Sequence, residues 1–222
     1  MATKQVQVVW GGWAGHTPKA SVDVFVPWLR EQGYAVDVAD TLDVYLDTDR
    51  MAAVDLIVPC WTMGTITPAQ EKGLLGAVAG GAGLVGWHGG IIDAFRQNTN
   101  YQFMTGGQWV AHPGGCIPSY RVDIADPDHP ITRGIEAFEL RDTEQYYIHV
   151  DPGCHVLCTT VFSGAHGDSG QYPAGVVMPY AYTRAWGKGR VFVACWGHTN
   201  KDFEVEPARV IVQRAFDWAC RA

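Results

Sequence analysis

Residues 83–90, Gly83-Leu84-Val85-Gly86-Trp87-His88-Gly89-Gly90, constrain the fold of this chain more than any other stretch. A short apolar run bounded by glycines reads as a buried strand, and the residue after Trp87 falls in a tight strand-to-helix turn where glycine neighbours relieve crowding. Such a turn pushes one side chain out above the sheet. A G-x-nucleophile-x-G elbow uses that geometry to expose Ser or Cys beside backbone N–H donors, and here the exposed position holds His88. An imidazole serves as a metal ligand, a general base or a hydrogen-bond donor, and is a poor acyl-forming nucleophile.

The segments before the elbow alternate between strand and helix signals. Residues 6–10 (VQVVW) are β-branched and end at Gly11-Gly12. A glycine loop reaching His16 leads to Thr17-Pro18, an N-cap followed by proline at the first helical position. Val22, Phe25, Val26 and Leu29 then fall at i, i+3, i+4 and i+7, and Gly33 closes that helix. Residues 35–39 and 56–60 are further strands, and Thr67-Pro68-Ala69-Gln70 carries a capping-box signature for a helix to residue 78. This alternation predicts a doubly wound, mostly parallel sheet whose ligand crevice lies at the carboxyl ends of its strands.

The second half is less regular. A helix of about two turns is expected over residues 91–96, whereas residues 100–115 are too rich in glycine and proline for a long regular element. Residues 120–125, 138–142 and 156–161 read as short strands. Residues 174–182 and 189–196 read as a hairpin on one edge, with its turn at 185–188, and residues 205–220 as an amphipathic closing helix.

A net charge of -7 without a Lys/Arg cluster argues against a nucleic-acid partner. No apolar run approaches the roughly 20 residues that span a bilayer, and Met1 to Gln5 lack the apolar core of a signal peptide. A cytoplasmic protein acting on small molecules is the expectation. The six cysteines show no C-x-x-C pair, so reduced core thiols are expected. If Cys154 and Cys158 share one strand, they would stand about 13 Å apart and could not bridge. Cys60 and Cys116 lack the elbow context of a hydrolase nucleophile.

An ordered set of motifs spans nearly the whole chain: Gly86-Trp87-His88-Gly89-Gly90, Tyr101 with Gly106-Gly107 and His112-Pro113, His129-Pro130-Ile131-Thr132 with Gly134, Glu144 with Tyr146, Gly187-Lys188-Gly189-Arg190-Val191, and Gly197-His198. On these motifs the sequence resembles the ThuA-like (trehalose-utilisation) family, which shares the class I glutamine-amidotransferase-like fold. The resemblance implies a single α/β domain over residues 1–222, with a flavodoxin-like, mostly parallel sheet and helices on both faces. It also implies a carbohydrate ligand. In the amidotransferases the elbow carries cysteine and a late-strand histidine is its base; His198 has the similar placement, but the cysteine is absent, so glutamine hydrolysis is not expected.

Four histidines occupy strand-end or glycine-rich loops: His16, His88, His112 and His198. In a doubly wound sheet such loops converge on one edge. His88, His198 and Glu144 are the candidate catalytic residues, and His16, His88, His112 and Glu144 are candidate ligands for a divalent metal such as zinc. Trp13, Trp87, Gly89, Tyr101 and Tyr146 are the candidate substrate-binding residues, since flat rings near the loops suit the apolar faces of a sugar. Each has a plainer alternative as a turn, capping or core residue. His129 is expected to organise its turn, His149, His155 and His166 to be surface or packing residues, and Arg190 to pack beneath the hairpin. No glycine spacing marks a nucleotide cofactor. The expected function is conversion of a trehalose-like or keto sugar by isomerisation or hydrolysis. The alternative is a non-catalytic sugar-binding or regulatory module. The fold analogy adds a homo-oligomer.

Overall fold

The computed structural model describes residues 3–166 and 174–221; Met1 and Ala2 of the amino-terminal segment lie outside the described residues. Four parallel strands form the first half: β1 (Gln5–Gly12), β2 (Ala35–Ala39), β3 (Leu56–Thr62) and β4 (Gly83–Trp87). The elbow strand is buried along its whole length, as a glycine-bounded apolar run sealed on both faces must be. Helix α1 (Pro18–Glu31) buries Val22, Phe25, Val26 and Leu29, and beyond its end Gly33 takes φ 87° and donates to the Arg30 carbonyl. Thr17 is not the expected cap: it is left-handed (φ 45°), and its hydroxyl instead accepts from the Asn200 N–H. The helices that follow are α2 (Thr48–Ala53) and α3 (Pro68–Ala79), and the capping box at Thr67 and Gln70 is formed.

The later strands are β5 (Gly107–Ala111), β6 (Cys116–Ile124), β7 (Phe138–Glu144), β8 (Tyr147–Val150), β9 (His155–Val161), β10 (Val177–Trp186) and β11 (Gly189–Ala194). Nine strands make one sheet in the order β2-β1-β3-β4-β11-β10-β9-β6-β7, while β5 and β8 pair separately. The fold is α/β with a parallel core, extended by antiparallel strands. The hairpin of β10 and β11 is not on an edge. It forms the seam, with β11 parallel to β4 and antiparallel to β10. A two-residue turn joins two strands locally but says nothing of what pairs with their outer sides.

Helix α4 (Thr99–Thr105) replaces the helix expected at residues 91–96. Asn98 caps it by accepting from the Tyr101 N–H, and Gly106 ends it at φ 76°. Residues 93–95 are instead bonded to the loop after β3, where Met63 N–H donates to Asp93 O and Phe95 N–H to Met63 O. Helix α5 (Glu206–Ala219) closes the chain beside α1, with Phe25 and Phe216 in edge contact at 5.5 Å, and α2, α3 and α4 make the other layer. No helix among the described residues is long and apolar enough to cross a membrane.

Candidate functional site

Strands β1, β4 and β11 are parallel, so the residues that follow them meet at one edge of the sheet. His16 ends a short 3-10 turn after β1, His88 follows β4 directly, and His198 lies in the loop after β11. Glu144, the last residue of β7, comes from the far antiparallel half and reaches the same place. His16, His88, Glu144 and His198 each offer a ligand atom, and these atoms all lie within 4.8 Å of one another.

Glu144 Oε2 is the hub. It lies 3.7 Å from His16 Nε2, 3.5 Å from His88 Nε2 and 3.2 Å from His198 Nδ1. These approaches lack hydrogen-bond direction, so Glu144 Oε2, His198 Nδ1 and both nitrogens of His88 are buried without partners. Four ligands about 2.0–2.2 Å from a tetrahedral ion would stand roughly 3.3–3.6 Å apart, close to the three separations from Glu144 Oε2. The donor set of three imidazoles and a carboxylate suits zinc or a similar divalent ion. His16 is oriented for such a role, because Nδ1 contacts Thr62 Oγ1 at 2.9 Å and leaves Nε2 to face the carboxylate.

The electrostatics agree. Burial, reinforced by His16, pushes the His88 pKa well below the usual imidazole value and keeps the ring neutral. Burial works to raise the Glu144 pKa, but the His16 and His198 rings outweigh it and hold the carboxyl well below the carboxylate range. A neutral imidazole and an ionised carboxylate are the protonation states that a metal requires.

The supports come from several elements. His88 is left-handed (φ 47°), a strained position for a side chain with a Cβ, and its ring stacks on Tyr146 at 3.7 Å between centroids. Gly89 has no room for a Cβ, which would strike the His16 ring and Thr62. Asp202 Oδ2 accepts from Gly197 N–H (2.9 Å), His198 N–H (3.0 Å) and Thr143 Oγ1 (2.9 Å), tying the His198 loop to the residue before Glu144. The main chain around Glu144 is fixed by two phenols: Tyr120 donates to Glu144 O at 3.0 Å, Tyr180 donates to Tyr120 at 2.8 Å, and Tyr146 N–H donates to Tyr180 at 3.3 Å.

The other candidates divide. His112 sits at the margin, with Nε2 3.7 Å from Glu144 Oε1 and a side chain 38% exposed, so His198 rather than His112 completes the four-residue set. Trp13 is exposed with its ring edge-on to His16 at 4.7 Å, a position open to a ligand. Trp87 and Tyr101 do not join the site. Trp87 is buried between Phe25 and Phe203, because neighbouring side chains on a strand point to opposite faces, and Tyr101 donates to Ile91 O inside the core. His129 organises its turn by accepting from Ile131 N–H, and Arg190 donates to Trp218 O. All six cysteines are free; burial pushes the Cys60 thiol up to about 12, unsuited to nucleophilic attack. Asp202 and Thr62 were not signalled by the sequence. The one hint was an acid four residues beyond His198.

The sequence matches the family model described as trehalose utilisation (ThuA) over residues 5–219. No curated protein is matched. Among solved structures, the chain is similar to a ThuA-like protein from Bacteroides uniformis (TM-score 0.81, 15% identity, covering 97% of this chain and 90% of that one). It is also similar to a ThuA-like protein from Parabacteroides merdae (TM-score 0.78, 16% identity, 98% and 90% covered). A cytoplasmic protein from Salmonella typhimurium shares the fold at TM-score 0.68 and 12% identity, with 98% and 100% covered. At these identities the structural likeness speaks for the fold alone.

Proposed function

The chain belongs to the ThuA (trehalose utilisation) family, and on that premise we propose that it converts a sugar at a divalent-metal centre held by His16, His88, Glu144 and His198. The observation that carries this reading is the convergence of three imidazole nitrogens on Glu144 Oε2 at 3.2–3.7 Å, with that oxygen and the nitrogens of His88 and His198 left without hydrogen-bond partners. Leaving a buried polar atom unsatisfied costs about 1–3 kcal/mol. Several such atoms aimed at one point are accounted for when their lone pairs share a cation.

Bound there, a zinc-like ion would polarise a sugar carbonyl or a water. His112, half-exposed at the margin, is placed to give or take a proton on the substrate side. Tyr146 fixes the plane of His88, Trp13 offers a face for the sugar ring, and Asp202 holds the His198 loop in register with Glu144. Isomerisation and hydrolysis of a keto sugar both need this pairing of carbonyl or water activation with proton transfer. The six free thiols accord with a reducing, cytoplasmic setting.

The test is elemental analysis of protein prepared without a histidine tag. The expected result is about one divalent ion per chain in the wild type and almost none in Glu144→Gln. Wild-type protein that takes up no ion from a zinc-, manganese- or cobalt-supplemented buffer would sink the proposal.

A further inference from the structure

On the same side of the sheet as the histidine cluster lies a cavity of about 350 Å³, walled by residues 63–66 of the loop after β3 and by residues 95–98. It begins one residue past Thr62, the partner of His16. Both walls follow the carboxyl ends of β3 and β4, the side of the sheet on which open α/β folds take their ligands. The walls are preformed. Met63 (φ 57°) and Phe95 (φ 49°) are two of the five left-handed non-glycine residues among the described ones, and they are bonded together through Phe95 N–H and Met63 O at 3.1 Å. Strain of this kind persists where the surroundings impose it, and it gathers at ligand sites.

Arg96 links this cavity to the centre. Its guanidinium forms a two-pronged pair with the buried Asp93 and stacks 4.1 Å over the ring of Trp109. Trp109 in turn lies 5.7 Å from His112 and 6.2 Å from Tyr146. The pairing decides the ligand's charge. With Asp93 already answering Arg96 and the chain at net charge -7, an anionic group finds little attraction, whereas a neutral polyol finds N–H donors and an apolar wall of Met63, Ile66 and Phe95. The volume is near the lower limit of small-molecule sites, about 300–1,000 Å³, and suits one sugar ring rather than a chain.

We propose that this cavity is the subsite for the second ring of a neutral disaccharide whose reacting ring lies over His112 and the metal centre; the assignment rests on the carbohydrate reading above. The test follows the methyl resonance of Met63 in methionine-labelled protein, assigned through Met63→Leu, during titration with trehalose and with glucose. In the wild type the Met63 methyl shifts saturably with trehalose, and glucose binds without reaching that shift. Thr65→Trp, at an exposed loop position, fills the cavity: it weakens trehalose about tenfold and leaves glucose binding and metal content unchanged. A metal-loaded protein whose Met63 methyl stays fixed at saturating trehalose, or a Thr65→Trp variant that binds trehalose as well as the wild type, overturns the subsite and leaves the centre standing. A metal-free wild type whose Met63 methyl still follows trehalose removes the centre and keeps the subsite.

Discussion

Two groups of histidine and carboxylate in this molecule look alike in sequence and differ in every physical respect. At the surface, His155 Nε2 meets Asp126 Oδ2 at 2.8 Å in a well-formed hydrogen bond, with the His155 side chain 59% exposed. In the interior, Glu144 faces four imidazoles at 3.2–3.7 Å and bonds with hydrogen-bond geometry to none of those nitrogens through Oε2. The surface pair satisfies itself and water completes its shell. The interior group has been taken out of water while its lone pairs point at a common centre, which an ion pair built for stability would avoid. Missing partners, more than short distances, separate a site from an ornament of the surface.

The contrast can be broken most decisively at its hub. Glu144→Gln and His88→Ala should remove the metal and abolish turnover while circular dichroism reports an intact fold; a folded, active His88→Ala would take that residue out of the mechanism. A smaller effect is expected one step back. Asp202→Asn, by loosening the His198 loop, should weaken metal affinity about 10–100-fold, read by competition with a chromophoric chelator, and an unchanged affinity would make Asp202 merely a loop staple.

Acid sharpens the same comparison. The folded-state pKa of His88 is depressed by burial and by His16, so its contribution to stability is present above its ordinary value of 6.5 and is lost as pH falls toward the depressed folded value. Asp126, lowered chiefly by its bond to His155, keeps its contribution until pH falls below its ordinary 3.8. Chelator-treated protein should therefore lose melting temperature as pH falls below about 6.5, and His88→Asn should flatten that slope. The smallest effect belongs to the surface pair: His155→Ala should leave turnover and melting temperature within error, and a measurable loss of metal would mean that the two groups communicate.

The parallel half was legible because strand, glycine loop and helix repeat at short range, and from that repeat His16, His88 and His198 could be placed on one edge. What stayed hidden depends on pairing over long distances. Glu144 was a candidate through the family resemblance, but its arrival at the centre stayed hidden: it sits at the end of an edge strand that only the antiparallel series β10-β9-β6-β7 delivers there, and no local pattern announces that order. The hairpin was recognised, but its burial at the seam depends on β4, a hundred residues earlier. At residues 91–96 the bonds from Asp93 and Phe95 to Met63 override a modest helical tendency, while the cap at Asn98 and the stop at Gly106 were short-range signals of α4 that the glycine-rich context obscured. Trp87 and His88 show the limit of proximity in sequence: adjacent residues, one in the core and one in the site.

The Tyr120–Tyr180 relay gives this arrangement a vulnerable spot away from the four residues proposed to hold a metal. Because the two phenols grip the two peptides that follow the acid, replacing Tyr180 with phenylalanine frees that stretch of chain to drift. In a lineage, decay of the centre could therefore begin with the loss of one distant hydroxyl while every ligand remained in place.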